Sequence, residues 1–377
     1  MQKKFSASLR KFFFIAGTGV AVLLILSSLG AYLNSYSWWF IALLTLLFPV
    51  LFCVTLLFFG TWLFIRPIQS VVFAIALLLS IPSLIKTVPL HTGPHYTNTQ
   101  PAKSLRVVTW NVGLLNLTAR SAGIAEANNA VILNKLKMLK ADVVCLQEFF
   151  TAVVPGTRYH FIDSISKTMG YPYYYFSRDI PYFSNQYFSG NIILSKHKII
   201  DSTRHVFANP YFGALVKTTI AKGTDTVDIF TSRLRSVNFG NHEYETIDQM
   251  KKIGDAKLGG TASILKKLRV GYRERNSQVQ LISADLNKTS RPFIFTADLN
   301  DVPTGYAYAT LKRGRQDVWL RKGHGIGRTF KYIFPTLRID YIFASKHFEV
   351  LQTKRIISLG SDHYALVTDV RLKKEAE

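Results

Sequence analysis

Five short polar insertions interrupt apolar, strand-like runs after residue 100: Trp110-Asn111, Gln147-Glu148, Asp298-Leu299-Asn300, Ile339-Asp340-Tyr341 and Ser361-Asp362-His363. Each sets a carboxylate, amide or imidazole at the end of a stretch rich in Val, Ile, Leu and Phe. A polar group there costs free energy unless something pairs with it. Together the five supply oxygen ligands for a cation, a carboxylate and amide to orient water, and a histidine backed by an aspartate. That is the equipment for cleaving a phosphate ester.

Glu148 closes the run Asp142-Val-Val-Cys-Leu-Gln-Glu148. A hard carboxylate at the C-terminal end of a buried strand lies where open sheets place ligands, and it suits Mg²⁺, which takes one or two carboxylates and keeps several waters. Asn111 ends an earlier strand in the same way, and its amide can bond a carboxylate, a metal-bound water or a phosphate oxygen. Asp298 and Asn300 alternate around Leu299, a spacing that puts both on one face to orient and activate a water. Asp340 has apolar neighbours on both sides and calls for a partner. His363 is the candidate, since a buried aspartate fixes the imidazole tautomer and raises its pKa. Asp362 stands beside it, within reach of a metal. Taken singly, each insertion also reads as a surface residue after a strand, an Asx-rich turn or a polar turn before the last strand.

The elements that must position these residues are short. Strands are expected at 105–110, 142–147, 190–195, 212–220, 226–231, 292–297, 338–344 and 364–371, each β-branched or aromatic and bounded by turn residues. Helices are expected at 121–140, with Ile132, Leu133, Leu136 and Leu139 at helical spacing, and at 261–287, with a Lys/Arg-rich outer face. That inventory makes one α/β domain of two packed sheets, over 105–371. Residues 87–104, rich in Pro, Thr and Gly, read as a linker.

Before residue 100 there is no Asp or Glu. Segments 12–33 and 39–65 are long enough to cross about 30 Å of hydrocarbon, and 68–85 is near the minimum, so residues 1–86 read as an all-α membrane region with three spans. Lys3, Lys4, Arg10 and Lys11 precede the first span, whereas the loop Asn34–Ser37 has no charge; this puts the N-terminus in the cytoplasm and, with three spans, the α/β domain on the extracytoplasmic face of the cell membrane. With two spans the domain stays inside.

The net charge is +23, of which Lys3, Lys4, Arg10, Lys11, Arg66 and Lys86 contribute six, leaving +17 on the rest. Such a balance favours anionic partners: nucleic acid, lipid headgroups or the membrane surface. Dispersed basic residues are equally a solubility feature. The aromatic stretch 171–188 offers rings for base stacking or lipid contact, or is a plain Tyr-rich surface. The two cysteines, Cys53 and Cys145, give no disulfide framework.

In this order the insertions resemble the endonuclease/exonuclease/phosphatase family, the metal-dependent phosphoesterases that include deoxyribonuclease I. The resemblance covers about 105–371 and is strongest in Arg291-Pro-Phe-Ile-Phe-Thr-Ala-Asp-Leu-Asn-Asp-Val-Pro303, similar to the family's G-D-F-N-x-x-P. It continues in Arg338-Ile-Asp-Tyr-Ile-Phe343, in Ser361-Asp362-His363 and in Ser189-Gly-Asn-Ile-Ile-Leu-Ser195. It implies a two-sheet α/β sandwich of the deoxyribonuclease I-like type. It also implies Mg²⁺, with Mn²⁺ as substitute, at Glu148 with Asn111 and Asp362 nearby. Asp298 then aligns or deprotonates the attacking water, Asn300 holds the phosphate, and His363, supported by Asp340, stabilises the transition state or acts as acid/base.

One departure stands out. Where the family has N-x-H-L-x-S, this chain reads Thr231-Ser232-Arg233-Leu234-Arg235-Ser236, so Arg233 replaces a phosphate-contacting histidine. Arginine exchanges no proton near neutral pH, but its fork grips phosphate oxygens. Arg233 therefore implies altered catalysis or substrate binding. The alternative is a weakened relative that binds a phosphorylated ligand or partner without turnover. Ala297 in place of the family's glycine is a smaller departure.

Overall fold

The structure is a computed structural model. It describes all residues except 1–6, 90, 92–95, 118–120, 158, 210–212, 237–257, 333–334 and 374–377. Lys3 and Lys4, on which the orientation argument leans, lie outside the described residues, as does the start of the strand expected at 212–220.

The chain divides into two compact units. The first holds residues 1–88, 236–277 and 302–310. Its three helices, α1 (Ala7–Leu29), α2 (Trp39–Ile65) and α3 (Pro67–Thr87), are each long and apolar enough to cross a membrane. They pack on one another through Leu24, Phe48, Trp62, Phe73 and Ala76, with Phe58 stacked on Phe73 and the Ser28 hydroxyl bonded to Ser80. The first helix ends at Leu29, earlier than the apolar run predicts. Gly30 lies where the chain passes α2, and a Cβ there would meet the Thr45 methyl at 2.2 Å. Side chains of the other two segments of this unit also bond to α2: the Thr304 hydroxyl donates to the Thr45 carbonyl (3.0 Å) and the Tyr272 hydroxyl to that of Ala42 (3.2 Å).

The second unit, residues 89–235, 278–301 and 311–377, is the α/β sandwich. Its central strands are β1 (Leu105–Asn111), β2 (Val143–Ala152), β5 (Tyr187–Ser195) and β13 (Ala365–Leu372) in one sheet, extended by β3 (Tyr173–Phe176), β4 (Ile180–Tyr182) and β12 (Phe348–Ile356). The other sheet runs in the order β10 (Gln316–Asp317), β11 (Asp340–Ala344), β9 (Phe293–Asp298), β8 (Asp225–Arg233), β7 (Ala214–Lys222), β6 (Ile199–Val206). Each sheet holds one parallel pair, β1 with β2 and β8 with β9, and all other pairings are antiparallel. The family's two-sheet α/β architecture is therefore present. β3, β4, β6, β10 and β12 lie outside the expected strands: β3, β4 and β10 are short and β6 is largely exposed, whereas β12 alternates only at Phe348 and Val350 before a polar run from Gln352 to Arg355.

Alternation along the strands decides what the site can contain. Leu105 and Val107 of β1, Val143 and Cys145 of β2, Val227 and Ile229 of β8, Ile294 of β9, and Ile342 and Ala344 of β11 all point between the sheets and form one apolar core. Burying each such side chain is worth roughly 1.5–3 kcal/mol. Side chains in a strand repeat on one face every second residue, so the same parity carries Asn111, Gln147, Arg233, Asp298 and Asp340 into that inter-sheet space at the strand ends. The opposite parity, Val108, Trp110, Val144 and Leu146, packs against Ile132 and Leu136 of the helix Ala122–Leu139. That helix and the helix Leu258–Lys288 match the expected 121–140 and 261–287 within three residues.

The stretch read as a linker is bonded along its second half. Gln352 of β12 exchanges hydrogen bonds with the backbone of Thr97 and Thr99, and Tyr96 lies under Arg106 and Lys354. Cys145 is fully buried, which pushes its thiol up to about 12 and leaves it inert.

Candidate active site

The two parallel pairs end at one rim. In β1/β2 the register sets Asn111 beside Gln147, and in β8/β9 it sets Arg233 beside Asp298, with Asp340 opposite Asp298 on β11. Gln147 ties the sheets together beneath the rim, donating to Thr109 on β1 and Thr231 on β8 (both 2.9 Å).

Strict alternation would send Glu148 away from this space. Instead the pairing of β2 with β5 shifts register between Leu146 and Phe149, and Glu148 takes the left-handed conformation at φ 49°. The bulge re-aims its side chain, and Glu148 Oε1 accepts from Asn111 Nδ2 at 2.9 Å. The second hydrogen of the same amide goes to Asp298 Oδ2, also at 2.9 Å, while Asn111 Oδ1 accepts from the Gly113 N–H. Asn111 thus turns its donor face to both carboxylates. An N–H has no lone pair for a cation, so here the Asn111 amide nitrogen positions the two carboxylates, while its lone-pair atom, Oδ1, faces the Gly113 N–H.

Asp298 is 1% exposed. Its Oδ1 accepts from the Asn300 N–H (3.0 Å) and its Oδ2 from the Asn300 amide (3.2 Å). Asn300, left-handed at φ 49°, also donates to the Leu234 carbonyl. Burial raises the Asp298 pKa and the neighbouring Asp340 raises it further, against the pull of His363, Arg233 and the Asn111 bond.

Asp340 and His363 pair as the residue types predict, with His363 Nδ1 2.8 Å from Asp340 Oδ2. The residue is also held through its backbone. The His363 backbone N–H donates to Ser361 Oγ and its carbonyl accepts from Trp110 Nε1, while Phe330 packs edge-on against the ring at 5.0 Å. Burial alone would depress the imidazole; Asp340, Asp298 and Asp362 overcome that and hold it up to about 10, so it is an imidazolium at neutral pH. Asp340 Oδ1 is buried with no hydrogen-bond partner.

Arg233 sits on Glu148. Its Nε lies 2.6 Å from Glu148 Oε1 and 3.8 Å from Asp298 Oδ2. Burial opposes its charge, but Glu148, Asp298 and Asp362 raise its pKa above the ordinary value. The Nε–H is not aimed at any acceptor, so the contact is charge against charge rather than a directed bond. Asp362 accepts from Ser361 Oγ and stands 3.2 Å from where a Cβ on Gly113 would be, which favours glycine there, as does φ 55°. Ala297 is accommodated, fully buried in β9 between Ser232 and Tyr341.

Three participants escaped sequence reasoning: Tyr182, close enough to bear on the Arg233 charge, Phe330 against His363, and Lys331 facing Asp362. Phe330 and Lys331 lie outside the named strands, where no alternation marks them; Tyr182 ends β4 within the aromatic stretch 171–188, whose residue types point to stacking rather than to Arg233.

Among the described residues one group of three has ligand atoms close enough for a metal: Asp298, Asp340 and His363, all buried. Nδ1 of His363 is already bonded to Asp340, so within this trio those two residues form a carboxylate–imidazole pair. The donors that fit Mg²⁺ are Glu148 and Asp362, hard carboxylates partly open to water.

A sequence profile described as the Endonuclease/Exonuclease/phosphatase family matches residues 108–363. The chain belongs to the endonuclease/exonuclease/phosphatase family. Members are phosphoesterases that use a divalent metal, and by family this chain is a phosphoesterase. A second profile, for a domain of unknown function, matches residues 10–87. Among solved structures the chain is similar to an endonuclease/exonuclease/phosphatase from Beutenbergia cavernae (20% identity, 72% of each chain, TM-score 0.48). It is also similar to the human Nocturnin catalytic domain with bound sulfate (17%, 72% of this chain and 94% of that one, 0.48). A Bacteroides thetaiotaomicron mannosyl-6-phosphatase is a further match (17%, 71% and 99%, 0.49). Likeness at this level names no substrate. No curated protein matches the chain.

Proposed function

We propose that the chain is a membrane-anchored, Mg²⁺- or Mn²⁺-dependent phosphoesterase that hydrolyses a phosphodiester or phosphomonoester of a nucleic acid, a phosphorylated lipid or a small molecule. Residues 1–86 are the anchor, 87–104 the connection and 105–371 the catalytic domain, on the extracytoplasmic face. The observation that carries the reading is the meeting of the Asp340–His363 pair, Asp298 with Asn300, and Glu148 at one rim, although these residues come from four separate segments of chain.

Glu148 with Asp362 would hold the metal, which when bound would supply positive charge for the phosphoryl oxygens. Asp298, its pKa raised by burial, is the base for the attacking water, and Asn300 keeps that carboxylate in place. His363, cationic and fixed through Nδ1 by Asp340, has no bond from Nε2 among the described residues and donates from it to the phosphate. Arg233 adds a guanidinium fork for the phosphate oxygens. Donors already aimed at developing charge stabilise the transition state without reorganisation.

The test is a panel of nucleic acid, lipid and small phosphate esters with Mg²⁺ or Mn²⁺, run on wild type, Glu148→Ala and Arg233→His. Loss of hydrolysis in Glu148→Ala is expected; activity that survives it overturns the metal assignment. The ion pair between Arg233 and Glu148 also favours a second reading, a protein that binds phosphorylated ligands without turnover. Metal and phosphate binding with no product from any substrate would establish that reading instead.

A further inference from the structure

We propose that Arg233 makes binding of the divalent metal depend on the phosphate group: the guanidinium holds Glu148 until a phosphate draws it away and frees that carboxylate for the metal. The inference rests on Glu148 as the metal's ligand.

Three observations support it. Arg233 Nε lies 2.6 Å from Glu148 Oε1, so a fixed positive charge already stands at the carboxylate that a dication needs. Like charges at that range repel strongly in a partly buried site, and arginine cannot escape by losing its proton. The contact is also incomplete. The Nε–H points at no acceptor, and neither terminal nitrogen of Arg233 has a hydrogen bond among the described residues. A guanidinium with unused donors gains by turning to a phosphate, which offers the bidentate match a fork prefers. Finally, the side chain is 29% exposed and Glu148 22%, so both can reorient without opening the core.

Glu148 does not depend on the arginine for its position. The bulge in β2 aims it, and Asn111, pinned through Oδ1 by the Gly113 N–H, holds Oε1 independently. When Arg233 leaves, the carboxylate stays in place. Coupling of this kind is reciprocal, so metal and phosphate each tighten the other by the same factor. A histidine at this position would lack the permanent charge and impose no such dependence.

The experiment uses the full chain in detergent or nanodiscs and reads Mn²⁺ binding by electron paramagnetic resonance, with and without inorganic phosphate. For the wild type, phosphate is expected to tighten Mn²⁺ binding by about tenfold or more. Arg233→Gln should bind Mn²⁺ alone on the order of tenfold more tightly than the wild type, with a smaller gain from phosphate. Arg233→Lys, which keeps the charge and loses the fork, should remain as weak as the wild type for the metal alone. Arg233→Met gives a second uncharged comparison should Arg233→Gln fold poorly. The proposal is overturned if Arg233→Gln and Arg233→Met bind Mn²⁺ no better than the wild type, or if Arg233→Lys binds it as tightly as they do. Glu148→Gln separates the two layers of the argument: if it leaves Mn²⁺ binding intact, the metal assignment fails; if it abolishes binding while Arg233→Gln changes nothing, only the coupling fails.

Discussion

Two arginine–carboxylate pairs in the sandwich do opposite jobs. Arg106 on β1 meets Asp369 on β13 through Nε (2.7 Å) and one terminal nitrogen (2.8 Å), with side chains 4% and 0% exposed. Every remaining group there is used: Arg106 also donates to the carbonyls of Asn98 and Leu139, and Gln352 donates to Asp369. Arg233 and Glu148 are partly exposed, touch through one nitrogen, and leave donors over. A buried charge with no spare bonds can only hold the fold together. One with unmet bonds at an open rim is available for a ligand. The under-bonded pair marks the site, and the saturated pair marks the frame.

The largest effect should come from the frame. Asp369→Ala leaves Arg106 buried and unpaired, and is expected to cost about 3–5 kcal/mol of stability, read by denaturant unfolding. Glu148→Ala is expected to change stability by less than about 1 kcal/mol, because its partner reaches water. Yet it should lower turnover by on the order of 10²–10³. If Glu148→Ala instead unfolds the domain, the contrast between the two pairs is lost.

His363 lies between these extremes, buried yet catalytic in type. Its pKa stands above the ordinary 6.5 and near 10, so the charged form is the one that folding favours. Its contribution is therefore fully present below about pH 6.5 and lost as pH rises through about 10. Thermal melts across that window should show the wild type losing stability that His363→Asn never had. A wild-type profile no steeper than the variant's would show the Asp340–His363 bond to be worth little.

Backbone strain supplies the smallest effect. Lys140 ends the helix Ala122–Leu139 at φ 49°, and Asn300 has the same angle beside Asp298. Lys140→Gly should raise stability by about 1 kcal/mol with activity unchanged. Asn300→Gly relieves the same strain but removes the amide bonds to Asp298 and Leu234, so it should lower turnover. Equal activity in both variants would detach Asn300 from the site.

The residue pattern was enough to find the sandwich, the long helices and the pairings of Asp298 with Asn300 and of Asp340 with His363. Alternation reports which face of a strand a residue takes, and a carboxylate between Ile339 and Tyr341 demands a partner wherever it lands. Strands such as β6, exposed and without alternation, left no such trace. The sequence also presented Arg233 only as a replacement for histidine, and Glu148 only as a residue at the end of a strand. That the two touch was settled by folding, because periodicity along one strand says nothing about which strand of the facing sheet lies across from it. The bulge at Glu148 is likewise a product of pairing between β2 and β5, a register shift no local run of residues encodes. The residue types set the donors and acceptors; only the packing of two sheets across one core decided that the guanidinium would lie on Glu148.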